Sequence, residues 1–277
     1  MVQILTFPSS ASATPESAGN VIVSGSYGGE YNAWHAAKWK IRGVVLNDCG
    51  VGCREAGIKG LPYLDRIGLA AATADVWTCH VADGEHMLAH GRISHINASA
   101  AKLGCRVGQT VAECAGLMTR GPVIETPPPE IAGGKRYVLR EVPGEPRVLA
   151  LDAAPMLAPE DAGAIVITGS HAALFRGQPD NVIGPALLAV FFNDAGVGLD
   201  GAGINRLPTL DRRNVAAGTV SADSAPIGDA RASYNEGIIS HLNQTALGLG
   251  GKVGQPLREF VDQILTLARS GSLPRPP

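Results

Sequence analysis

The chain has 277 residues, 45 % hydrophobic and 17 % charged, with a formal net charge of −2. That length and composition exclude a disordered chain and a disulfide-stapled miniprotein. The lack of a basic surplus, with 5 % aromatic residues, excludes a nucleic-acid backbone as the main partner.

In chain order, Val21–Ser24 is a β-branched run that enters a loop containing Gly25, Ser26, Gly28 and Gly29, so a strand is expected there. Residues 31–40 read as a helix, and Val44–Leu46 as a second buried strand ending at Asn47 and Asp48. A glycine loop follows, then a short helix over 57–66 and a third apolar strand over 69–73. Ile93, Ile96, Ala100 and Leu103 recur at helical spacing, which predicts a helix over 93–103 stopped by Gly104; a further helix is expected over 109–118. The second half predicts strands at 165–168, 189–192 and 215–219 and a helix over 239–249.

The two halves repeat each other. NDCGVGCREAGIKGLPYLDR, from Asn47, matches NDAGVGLDGAGINRLPTLDR, from Asn193, and about 28 of 63 positions aligned ungapped at an offset of 146 are identical. Upstream, NVIVSGS at Asn20 matches AIVITGS at Ala164 at an offset of 144. The expected architecture is therefore α/β: two tandem homologous α/β units, with mostly parallel sheets covered by helices, packed as an internal pseudo-dimer. The units span 1–119 and 146–277, and an extended spacer rich in proline and glycine covers 120–145.

In parallel sheets, sites form at the carboxyl ends of strands. The short polar residues at those positions are Ser24, Ser26, Asn47 and Thr73 in the first unit. Ser170, His171, Asn193 and Thr219 lie at the strand ends of the second. These are candidate substrate-binding residues, and Ser221, Ser224 and Arg231 join them, Arg231 as a clamp for a carboxylate. Asp48 and Asp194 are candidate general bases, His95 and His241 candidate proton carriers, and Asp229 a further catalytic candidate. Asn and Asp in such loops also bond their own backbone, which is the structural alternative. The pattern supports neither a nucleotide loop nor a bound cofactor.

His80, His86 and His90, near Cys79, Asp83 and Glu85, offer a metal alternative in the first unit, with His86 and His90 one helical turn apart. The second unit has Ala232 and Glu236 at the latter two positions, so no metal is assigned. The five cysteines, Cys49, Cys53, Cys79, Cys105 and Cys114, all fall in the first half and read as reduced thiols. No targeting segment and no run of about 18 apolar residues is apparent.

The expectation is a cytoplasmic, cofactor-independent enzyme, a hydrolase of an amide or ester bond in a small polar or carboxylated substrate. Three alternatives stand beside it: an isomerase or lyase that abstracts a proton, a non-catalytic small-anion binder, and a metal-dependent hydrolase. The expected partners are a small molecule and further copies of the chain as a homo-oligomer, with neither nucleic acid nor membrane.

Overall fold

The computed structural model describes residues 1–179 and 183–273. Among these the strands form two sheets of mixed direction, mostly parallel, each covered by helices on both faces, so the chain is an α/β protein. No helix among the described residues is long and apolar enough to cross a membrane.

The first sheet has the order β1 (Ile4–Phe7), β2 (Val21–Tyr27), β3 (Gly43–Asn47), β4 (Ala70–Ala74), β5 (Ile93–Ile96). The first four strands are parallel and β5 runs antiparallel to β4. Side chains alternate across the pleat. Val21, Val23 and Val45 therefore point to a core under α3 (Gly84–His90), α4 (Ala98–Lys102) and α5 (Val111–Met118). Ile22, Val44 and Leu46 point to the opposite core, under α1 (Glu30–Ala37) and α2 (Gly60–Asp65).

The second sheet follows the same plan: β7 (Val148–Leu151), β8 (Ile165–His171), β9 (Ala189–Asn193) and β10 (Ala216–Val220) are parallel, and β11 (Ile239–Leu242) is antiparallel to β10. Its helices are α6 (Leu207–Asp211), α7 (Ala230–Glu236), α8 (Gln244–Gly248) and α9 (Leu257–Arg269). On α9 the buried residues Leu257, Phe260, Val261, Ile264 and Leu265 form one apolar stripe. At an offset of 146, the first four correspond to Val111, Cys114, Ala115 and Met118, the buried face of α5. Phe260 meets Phe191 edge to face, with ring centroids 5.7 Å apart, and each fully buried ring contributes about 2–3 kcal/mol through the area it removes from water.

Three details differ from expectation. The segments predicted as helices over 93–103 and 239–249 each divide into a short strand and a short helix. Asn97 and Asn243 are extended at the breaks, and each accepts two backbone N–H groups: Ala71 and Ala100 for Asn97, Ala217 and Ala246 for Asn243. The side chain thus caps the helix and ties it to the adjacent strand, so the helical spacing of Ile93 and Ile96 is incidental. The spacer is not a free connection either, because β6 (Arg136–Arg140) adds antiparallel to β7 as an edge strand. It is fastened by Arg136 and Arg147 to Asp161, which is fully buried. The third difference is the helices α3, α7 and α9, which fall outside the predicted elements.

The halves meet through their N-D-x-G-V-G loops. Gly50 and Gly196 pass so closely that a β-carbon on Gly50 would lie 3.2 Å from the Cα of Gly196. The flanking contacts are reciprocal. Cys53 N–H donates to the Ala222 carbonyl at 2.7 Å, and its counterpart Leu199 N–H donates to the Val76 carbonyl at 2.9 Å.

Candidate functional site

The Asn-Asp pairs build that joint. Asn47 Oδ1 accepts from Cys49 N–H at 2.9 Å, and Asp48 Oδ1 accepts from Gly50 and Val76, both at 3.0 Å. In the second half, Asn193 takes Ala195 at 2.9 Å, and Asp194 takes Gly196 at 3.0 Å and Ala222 at 2.9 Å. These bonds hold a run of left-handed residues that includes Val51 (φ 64°) and Val197 (φ 62°). That conformation is costly for a β-branched side chain, of order 1–3 kcal/mol each. Burial pushes the Asp48 carboxyl above the usual carboxylate range, against the two N–H groups that favour its charge. Here Asn and Asp satisfy their own backbone.

The other candidates form local networks. Ser24 Oγ accepts from Ser26 N–H at 3.3 Å. Thr73 and Thr219 share hydroxyl hydrogen bonds with Ser94 (3.1 Å) and Ser240 (2.9 Å). His95 and His241 lie on strands opposite those threonines; Nδ1 of His241 is 3.4 Å from Thr219 Oγ1, while Nδ1 of His95 is buried without a partner. Ser221 accepts from Asp223 N–H, and Ser224 closes the same turn onto the Ser221 carbonyl. Arg231 is exposed, and its guanidinium lies 5.0 Å from the Tyr137 ring centroid. His80 stacks on His86 with ring centroids 3.8 Å apart, and His90 lies tilted against His86 at 4.5 Å. Among the described residues, however, no group of three or more His, Cys, Asp or Glu side chains could hold a metal ion.

A cleft of about 1290 Å³ opens elsewhere, at the carboxyl ends of β2, β7 and β8. Of the sequence candidates it gathers Ser26, Ser170, His171 and Asp229; it adds Tyr27, Asp152 and Arg206, and the spacer closes one side with residues 131–135. Its position follows from a difference between the halves. In the first, α1 lies between the turn Ser10–Ser12 and α2. Aligned with α1, residues 174–179 hold only a 3₁₀ turn, Phe175–Gly177. The counterpart turn Ala154–Met156 and Arg206, at the start of α6, are therefore left lining open space.

The polar groups of the cleft have distinct states. Ser26 and Ser170 spend an acceptor alike, on Ser10 N–H at 3.0 Å and Ala154 N–H at 2.9 Å. His171 Nδ1 accepts from Ala173 N–H at 3.2 Å. Burial, reinforced by the nearby Arg206 charge, lowers its pKa to about 3. The imidazole is thus neutral at pH 7, with its proton on Nε2 as a donor. Tyr27 packs its hydroxyl against Gly228 across the junction, and burial raises its pKa well above the usual phenol range, so it too stays protonated. Asp152 accepts from Ala230 N–H at 3.1 Å through one oxygen and from Lys135 N–H at 2.8 Å through the other. Asp229 caps α7, accepting from Ala232 N–H at 2.8 Å through Oδ1.

Arg206 is 6 % exposed. One Nη donates to the Ala173 carbonyl at 2.7 Å, the guanidinium lies 5.5 Å from the Phe192 ring centroid, and Nε is buried without a partner. Burial lowers its pKa to about 10, which leaves it charged at neutral pH. Sequence reasoning passed over both Arg206 and Tyr27. The available signal was the repeat itself: Arg206 aligns with Gly60, and Tyr27 with His171.

No family model matches the chain, and no curated protein or solved structure shows significant similarity to it.

Proposed function

We propose that the chain is a duplicated α/β unit folded as an internal pseudo-dimer, and that it binds a small organic molecule in the cleft of its second half. The reciprocal contacts at the two glycine loops support the first part. The second rests on the cleft itself: a concave, largely apolar space with a few convergent donors, built at strand ends from both halves and the spacer.

Binding has more support than serine hydrolysis. A nucleophilic serine needs a base in contact with its hydroxyl. The Ser170 hydroxyl instead accepts a backbone N–H, and the adjacent imidazole accepts one as well. Asp48 and Asp194 stand at the joint rather than among the cleft residues. A second reading, proton abstraction, is favoured by one observation: Asp229 borders the cleft and uses only Oδ1 in its cap. Its other oxygen would be the base, and the neutral donors Tyr27 and His171 would meet the developing oxyanion.

A thermal-shift screen of small organic molecules against the wild type and Gly184→Trp tests the binding reading. Gly184 borders the cleft, and a β-carbon there meets nothing within 4 Å, so an indole can be placed at the cleft's border without a clash at its base and narrow it. Stabilising compounds should lose their effect in the variant; compounds that stabilise both proteins equally would refute the cleft as the site.

A further inference from the structure

Arg206 is a buried cation that has no ion-pair partner among the described residues. Taking a charge out of water costs several kcal/mol unless an opposite charge compensates it. Among the described residues its guanidinium donates to one carbonyl, that of Ala173, and Nε, a donor suited to planar acceptors, is unsatisfied. It lines the cleft beside His171 and Tyr27, which remain neutral and can only add hydrogen bonds. Of the carboxylates that share the lining, Asp152 accepts backbone N–H groups through both oxygens and Asp229 through Oδ1, and neither forms an ion pair with Arg206.

We propose that the cleft takes an organic monocarboxylate, its carboxylate paired with Arg206 and its body lying on the apolar wall of Ile131, Met156, Leu157, Phe175 and Ile183. This inference rests on the reading of the cleft as the ligand site and adds the class of ligand. One guanidinium balances one negative charge, and its flat fork of N–H donors matches a carboxylate. A phosphate dianion would bring a second charge that no other buried cation among the described residues meets. The role assigned to Arg231 from sequence thus passes to Arg206, because Arg231 lies exposed over Tyr137.

The test is calorimetric titration of the full chain with benzoate and hexanoate, with benzamide and hexanamide as neutral matches, and with inorganic phosphate. The wild type should bind the acids at least about tenfold more tightly than the amides, and phosphate weakly or not at all. Arg206→Met should lose that preference while its melting temperature without ligand holds or rises. Arg206→Lys, which keeps the charge but not the fork, should retain part of it. Equal binding of acid and amide, with both lost in Gly184→Trp, would overturn the carboxylate assignment and leave the cleft reading intact. Acid binding that survives both Arg206→Met and Gly184→Trp would overturn both. Preferred binding of phosphate, or no binding of either acid up to millimolar concentrations, would overturn the inference.

Discussion

The two halves use one scaffold in opposite ways, and the contrast is sharpest at Gly60 and Arg206. In the first half α1 presses onto the start of α2 so closely that a β-carbon on Gly60 would lie 2.8 Å from Cβ of Ala33. In the second half the α1 counterpart is missing from the described residues, and an arginine occupies the glycine's place at the edge of a cleft. The backbone bond is the same in both: Gly60 N–H donates to Gly28 at 2.7 Å, and Arg206 N–H to Ala172 at 2.9 Å. A difference in packing above an unchanged turn therefore separates a filled face from a ligand-sized one. Two halves of similar sheet plan thus keep one frame, and a cleft opens beside Arg206.

The most disruptive way to break the comparison is to write one half's residue into the other. Gly60→Arg would drive a charged side chain into Ala33 and the backbone of Gly28 and Gly29. The overpacking and charge burial together should cost about 4 kcal/mol or more, read as a lowered midpoint in urea denaturation. A loss below about 1 kcal/mol would mean that the first half has room for a cleft as well.

A second contrast concerns Asp161 and its counterpart Ser17. Both are fully buried, but Ser17 Oγ has no partner, whereas Asp161 ties down the spacer strand through Arg136. Asp161→Asn should cost about 3 kcal/mol by leaving the arginine poorly compensated. Arg136 hydrogen-bonding holds the Asp161 carboxyl below the usual range. Its contribution is therefore complete above the unfolded carboxylate pKa of about 3.9 and is lost as pH falls through the native value. The variant should show a correspondingly shallower loss of stability in acid, measured by denaturation from pH 6 downward.

The joint is where the halves should behave alike. Asp48→Ala and Asp194→Ala each remove an acceptor shared by two backbone N–H groups, and each should cost about 2 kcal/mol. Similar losses in both variants would sharpen the symmetry of the joint. A variant of wild-type stability would contradict the role given to these carboxylates. The smallest expected effect is at Arg206. Without ligand, Arg206→Met should be neutral or stabilising by about 1 kcal/mol, since it replaces a buried charge that has no ion-pair partner among the described residues with an apolar chain of similar length; a loss of more than about 2 kcal/mol would mark it as structural.

Much of the frame was legible in the sequence, because buried parallel strands are written as continuous apolar runs such as Val21–Ser24 and Val44–Leu46. The doubled N-D-x-G-V-G motif marks the loops through which the halves meet, but residue type alone does not tell that role from a catalytic one. Asp48 bonding to Gly50 and Val76 and an Asp48 facing substrate would read identically. The ISH segments misled because a four-residue strand followed by an asparagine cap reproduces helical spacing by chance. Arg206 was hidden for a different reason. It sits in an otherwise well-matched repeat, and its meaning depends on a helix that has no counterpart among the described residues of its own half.

The central claim is that Arg206 is held charged at the cleft to meet an anion, and its own Nε–H resonance reports on that most directly. In a nitrogen–proton correlation spectrum of the full chain at pH 7, adding benzoate should shift this signal and slow its exchange with water, and the signal should be absent from Arg206→Met. Benzoate binding that leaves the Arg206 signal unmoved, while shifting resonances around Gly28 and Gly60 in the first half, would contradict the account.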